Sequence, residues 1–290
     1  MAQNLSLVRV IIAETNPVVR SGLQAGLFGH GIRDVIVCKD AEQLRDALSR
    51  EVIDLVICDV ALPGSPFVWL AQEMRQYKTG RNPFALLVAT LNEASAEEVN
   101  AGISGGADAM VKKPFPISAI TERLQPMMQA RRPFIATNDY VGPNRRKSKR
   151  PQERPLKAID APITLQEKAQ GRVNPEHLQK VVDQGWAKLE KARAMNQMET
   201  LIGVIDRVLA FYDGHGTIDS HRRDLERLVS LSQQAAGNLR ASSGTQTSTL
   251  PEIVKLIAKR PLAPHQSQLH MLAQIRKSAT GKIVDAPTIN

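Results

Sequence analysis

The chain has 290 residues, 42% of them hydrophobic, and carries 38 Lys and Arg against 29 Asp and Glu, a net charge of +9. That is enough apolar content for one large core or two smaller ones; no apolar run approaches the ~18 residues that span a bilayer, and the N-terminus lacks a basic leader region, which predicts a cytoplasmic protein without a membrane span. The charge is segregated: 1–130 holds 12 basic against 14 acidic residues, 131–160 holds 9 against 3, and 161–290 holds 17 against 12.

Leu7 to Ala13 reads as a first strand, and Asn16-Pro17 as the cap and first turn of a helix reaching about Phe28. Asp34–Cys38 is a second strand, and Asp40-Ala-Glu-Gln43 opens a helix with a capping box. Leu55 to Cys58 is a solid apolar run, as in a parallel strand covered on both faces, and it ends in Asp59 before Pro63-Gly64 forces a turn. Ser65–Lys78 is predicted helical, Phe84–Ala89 is a fourth strand ending at Thr90, and Ser95-Ala-Glu-Glu98 caps the next helix. Ala109–Val111 is a short fifth strand followed by Lys112-Lys113-Pro114, and a last helix begins near Ile117, with Pro126 expected to kink or end it.

Five rounds of strand and helix with short connections require right-handed crossovers and a parallel sheet. The predicted fold is α/β: a flavodoxin-like, doubly wound five-stranded sheet of order 2-1-3-4-5. Cys38 and Cys58 then fall on strands either side of the first, as free buried thiols. Glu14, Asp59, Thr90 and Lys113 converge just past the carboxyl ends of four strands, where open α/β sheets place their chemistry. Two neighbouring carboxylates repel unless a cation sits between them, and oxygen ligands suit Mg²⁺. Asp59 is then a nucleophile toward a phosphoryl group, with the Thr90 hydroxyl and the Lys113 ammonium to neutralise its oxygens.

These stretches, Val10-Ile-Ile-Ala-Glu-Thr-Asn-Pro17, Asp54 to Gly64, Leu86-Leu-Val-Ala-Thr90 and Gly106 to Phe115, resemble bacterial response-regulator receiver domains over about residues 8–130. The resemblance implies Asp59 as phosphoacceptor, Glu14 as one of an acidic pair holding Mg²⁺, the main-chain carbonyl of Ala61 as a third ligand, and Thr90 and Lys113 as phosphoryl contacts. It also implies a sensor histidine kinase or a phosphotransfer protein as partner. Two departures stand out: Thr15 occupies the second acidic position, which weakens the Mg²⁺ site, and Met110 occupies that of the switch aromatic.

Beyond a 1–130 receiver, residues 131–172, with Pro133, Pro143, Pro151, Pro155 and Pro162 around Arg145 to Arg150, read as an extended, mobile basic linker. Tyr140 to Arg146 resembles arginine-rich stretches that follow some receivers. Residues 173–290 read as a mostly α-helical output or interaction region: helices from Asn174 to about Leu189, from Met198 to Tyr212, from Asp219 or Ser220 to about Leu239, over Pro251–Lys259 and over His265–Ser278, with a polar stretch at 241–249. The leading reading is a response regulator, not an enzyme, that takes phosphate on Asp59 and switches the helical region. Its alternatives are a phosphorylation-independent scaffold and a nucleic-acid-binding regulator acting through Arg145–Arg150; an output partner and a second copy of the chain complete the partner readings.

Overall fold

The computed structural model describes residues 5–145, 156–239 and 250–284. Five parallel strands, β1 (Arg9–Ala13), β2 (Asp34–Cys38), β3 (Leu55–Asp59), β4 (Leu86–Leu91) and β5 (Ala109–Lys112), form a sheet of order β2-β1-β3-β4-β5. Every residue of β3 and β4 is buried, the reason these strands read as unbroken apolar runs. Helices α1 (Pro17–Gly29), α2 (Ala41–Arg50), α3 (Phe67–Arg75), α4 (Ala96–Ser104) and α5 (Ser118–Gln129) cover its two faces. Leu23, Leu27, Ile120 and Leu124 pack on Val10, Ile12 and Ile57 on one face; Leu44, Leu48, Phe67 and Leu70 pack on Ile11, Val56 and Leu87 on the other. Each buried aliphatic side chain contributes about 1.5–3 kcal/mol, so this double-sided core sets the register that places the strand ends.

The predicted helix starts hold. Asn16 Oδ1 accepts from the Val18 N–H at 2.9 Å, Asp40 Oδ1 from Gln43 N–H at 2.8 Å, and Gln43 Oε1 from Lys39 N–H at 3.0 Å. Cys38 and Cys58 are free and buried, each paired in register with Ala13. Pro126, expected to kink or end the last helix, does not end it but sits inside α5. Leu124 and Met128 on either side are buried in the core, and their packing outweighs the one hydrogen bond that proline removes.

The stretch expected as an extended tether is largely structured. Strands β6 (Phe134–Ala136), β7 (Val141–Pro143) and β8 (Ala158–Ile159) make a small antiparallel sheet of order β7-β6-β8, and α6 (Thr164–Ala169) follows. Pro143 is accommodated because β7 is an edge strand, where a missing N–H costs little. Lys168 on α6 reaches Asp54 at the start of β3 at 2.7 Å, and Asn82 bonds both Ile53 O at 2.7 Å and Thr164 Oγ1 at 3.0 Å. Of the basic run, Arg145 is described; Arg146, Lys147, Lys149 and Arg150 lie outside the described residues, as does 241–249.

The chain divides into two units, one of residues up to 145 with 158–190, the other of 156–157 with 191 onward. The first therefore takes in more than residues 1–130, because the small sheet, α6 and the start of the next helix bury their apolar faces within it. The two helices expected from Asn174 and Met198 are one, α7 (Pro175–Tyr212), which supplies 175–190 to the first unit and 191–212 to the second. In the second unit α7 joins α8 (Ile218–Leu239), α9 (Leu250–Lys259) and α10 (Gln266–Val284) around Leu201, Ile205, Val208, Leu228, Val254 and Leu272. Gly214 and Gly216, at φ of 88° and 94°, make the left-handed turn between α7 and α8.

Candidate functional site

Parallel register brings four side chains to the carboxyl edge of the sheet. Glu14 directly follows β1, Asp59 closes β3 opposite Thr90 on β4, and Lys113 follows β5, its N–H held by Leu91 O at 2.8 Å. Glu14, Asp59 and Thr90 are only 2%, 4% and 1% exposed, deeper than the shallow rim expected for a strand-end carboxylate.

Lys113 joins the carboxylates. Its Nζ lies 2.6 Å from Asp59 Oδ2 and 2.7 Å from Glu14 Oε2. Burial pulls the ammonium's pKa down, but the hydrogen bonds and charges of Asp59 and Glu14 more than offset it and hold the pKa above the usual lysine value. The other carboxylate oxygens meet backbone: Asp59 Oδ1 accepts from Ala61 N–H at 3.1 Å, and Glu14 Oε1 from Asn16 N–H at 2.9 Å. Glu14 Oε2 is ion-paired with Lys113 and meets no other polar partner.

The predicted residues Glu14, Asp59 and Lys113 are thus in direct contact, and Thr90 stands in register beside Asp59. Ala61 enters through its N–H, and Thr15 is exposed. One participant was missed by sequence reasoning: Arg20, one turn into α1, donates from Nη1 to the carbonyls of Glu14 at 2.9 Å and Thr15 at 3.1 Å. A basic residue near a helix N-terminus, where the dipole disfavours cations, was the available signal. Cys58 adjoins Asp59, but burial and the neighbouring carboxylate push its thiol far above the ordinary range, so it is no nucleophile.

The Glu14 and Asp59 carboxylates form an oxygen donor pair, bridged in this structure by Lys113 Nζ. It fits a hard divalent cation that keeps several waters. Among the described residues no group of three His, Cys, Asp or Glu side chains gathers to hold a metal.

Residues 10–125 match the family model of the response regulator receiver domain. The transcriptional activator protein PfeR of Pseudomonas aeruginosa is 29% identical over 121 residues, 42% of this chain and 38% of that protein. The transcriptional regulatory protein PhoP of Escherichia coli is 29% identical over 124 residues, 42% of this chain and 52% of that protein. The chain thus spans about half or less of the length of these curated relatives. Among solved structures, the receiver domain of sensor histidine kinase PA1611 from Pseudomonas aeruginosa, with a magnesium ion coordinated in its active site cleft, is similar at 23% identity, covering 43% of this chain and 96% of that one with a TM-score of 0.37. Residues 10–125 of this chain are a response-regulator receiver domain.

Proposed function

We propose that the protein is a switch in a two-component phosphorelay: Asp59 accepts a phosphoryl group from the phosphohistidine of a sensor kinase or phosphotransfer protein, and the modified receiver acts on the helical region. The observation that carries this reading is the Lys113 ammonium within hydrogen-bond reach of both Asp59 and Glu14. An Asp59 oxygen attacks phosphorus, an O–P bond forms, the P–N bond of the donor breaks, and its electron pair returns to the imidazole. Lys113 then has phosphoryl oxygens as partners, with the Thr90 hydroxyl and the Ala61 N–H as neutral donors. Mg²⁺, when bound, would be held by Glu14 and Asp59, with the main-chain carbonyl of Ala61 as a third ligand, and would supply further neutralisation of the phosphoryl charge. In this reading the chain is a stoichiometric acceptor rather than an enzyme, and it acts in the cytoplasm. Among the described residues no helix is long and apolar enough to cross a membrane.

The test is to incubate the protein with acetyl phosphate and Mg²⁺ and weigh it intact. One phosphoryl group should be gained, and none by Asp59→Asn; no gain in the native chain at saturating donor and Mg²⁺ would sink the reading. A second reading, a scaffold that binds partners without phosphorylation, draws support from Lys113, a cation already bridging the two carboxylates.

A further inference from the structure

The stretch Tyr140-Val-Gly-Pro-Asn-Arg145 is docked onto the receiver residue by residue. Gln72 on α3 accepts from Val141 N–H at 3.1 Å and donates back to Val141 O at 3.0 Å, and the same amide reaches Ser104 O at the end of α4 at 3.0 Å. Gly106 and Gly142 meet backbone to backbone: a Cβ on Gly106 would fall 2.9 Å from Val141 O, and one on Gly142 would fall 3.0 Å from Gly106 Cα. Tyr140 Oη donates to Pro143 O at 2.9 Å, Asn144 N–H to Pro133 O at 2.8 Å, and Arg145 to the carbonyls of Ala107 and Asp108. Beneath lies a buried ionic cluster in which Arg75 on α3 reaches Gly106 O at 3.1 Å and Asp108 at 2.9 Å. Arg131 grips both oxygens of Asp108 at 2.8 and 2.9 Å. Both guanidiniums stand over the Phe134 ring, 5.2 and 4.5 Å from its centroid.

The elements gripped here are those that lead to the phosphoacceptor site. The loop after Asp59 runs into α3, and β5, gripped at Asp108, ends next to Lys113. A four-residue strand is only about 13 Å long and moves as a rod. Midway along it Met110 presses on α4, where a Cβ on Gly102 would fall 2.5 Å from its sulfur.

We propose that residues 131–145 form a clasp whose docking onto α3 and the start of β5 is linked to the charge at Asp59, so that removing or masking that carboxylate loosens the clasp, and loosening the clasp alters the reactivity of Asp59. The coupling runs through β5: when the Asp59 carboxylate is removed or modified, Lys113 keeps Glu14 but exchanges its contact with Asp59, and the shift this imposes on the end of β5 weakens the strand's hold at Asp108. Linkage makes the effect reciprocal for equilibria. Only the phosphodonor arm of the test rests on the proposed function.

Hydrogen exchange on the full chain reads the clasp through the amides of Val141 and Asn144, with Leu228 in the second unit as internal control. Exchange at both should rise about fivefold or more in Asp59→Asn, and again on treating the native chain with acetyl phosphate and Mg²⁺, while Leu228 is unmoved. In the reverse direction Gln72→Met, which keeps the helix and removes the amide's bonds to Val141 and Ser104, should change the rate of phosphorylation at Asp59 while exchange at Leu228 is unmoved. Equal exchange at Val141 and Asn144 in the native and Asp59→Asn proteins overturns the clasp, whatever the phosphodonor does. A mass that never rises with acetyl phosphate overturns the phosphorelay reading and leaves the Asp59→Asn arm to decide the clasp.

Discussion

Thr15 follows Glu14 at the position where the resemblance to receiver domains implies a second acid, and the consequence to test is electrostatic. With one carboxylate fewer, Thr15→Asp should tighten Mg²⁺ binding by roughly tenfold or more, about 1.4 kcal/mol, read by titrating Mg²⁺ against melting temperature. Unchanged Mg²⁺ affinity in both Thr15→Asp and Asp59→Ala would mean that these residues hold no metal. Lys113 offers the complementary experiment. Lys113→Met leaves two buried carboxylates facing each other without a cation and should destabilise the fold by about 3–5 kcal/mol at neutral pH. Removing one of the two charges as well, in Lys113→Met with Glu14→Gln, should recover part of that loss, because the remaining carboxylate no longer faces a like charge. A double variant no more stable than Lys113→Met contradicts the bridging role. At this scale Glu14, Asp59, Thr90 and Lys113 were legible because each stands at the end of an apolar run; Arg20 was harder to read, because its role is to bond two main-chain carbonyls and the one signal was a basic residue near a helix N-terminus.

The strands and helices of the receiver announce themselves because their periods are set by burial on one or both faces, and their caps by side chains that satisfy orphan N–H groups. The small sheet escaped that logic. Its strands are three, three and two residues long, too short for any period, and its Pro and Arg content reads as a solvated tether. What orders it is tertiary: Arg131 and Arg75 are buried by pairing with Asp108 and with carbonyls, and Val141 is held by a side-chain amide. Gly106 tests this element. It stands at φ +74° with its hydrogen toward Val141 O, so Gly106→Val should cost more than about 2 kcal/mol through strain and collision. By contrast Gly22, helical with open space around it, should gain about 0.5–1 kcal/mol as Ala. Urea midpoints of the two variants decide; a neutral Gly106→Val would show that β7 does not need the close approach.

Across the whole molecule the acidic-to-neutral receiver and the basic remainder differ in charge as the sequence indicates, and α7 joins the two units where two helices had been expected. That merger was invisible because residues 190–197 carry no apolar face of their own; Asn196 instead holds Lys157 at both N–H and C=O, at 2.6 and 3.0 Å. The second unit also has a pH-sensitive element. His221 is buried, stacked 3.9 Å from Phe211, with Nε2 between Tyr212 Oη at 3.0 Å and Pro261 O at 3.1 Å and no partner at Nδ1. Burial lowers its pKa, against weaker opposing effects of Pro261 and Asp224. The neutral ring is therefore the folded form, and its contribution is full above the unfolded histidine pKa of about 6.5 and lost as pH falls below it. The drop in melting temperature between about pH 7.5 and about pH 5 should shrink in His221→Gln; an identical drop would remove His221 as the cause.

The phosphorelay function turns on whether Asp59 is the acceptor. An aspartyl phosphate is an acyl phosphate, and borohydride reduces it to homoserine while leaving a free carboxylate untouched. After acetyl phosphate, Mg²⁺ and borohydride, peptide mapping should find homoserine at position 59 and at no other aspartate, in an amount that falls when Mg²⁺ is withheld. Homoserine elsewhere, or none at position 59 under conditions that saturate the donor, would contradict the account.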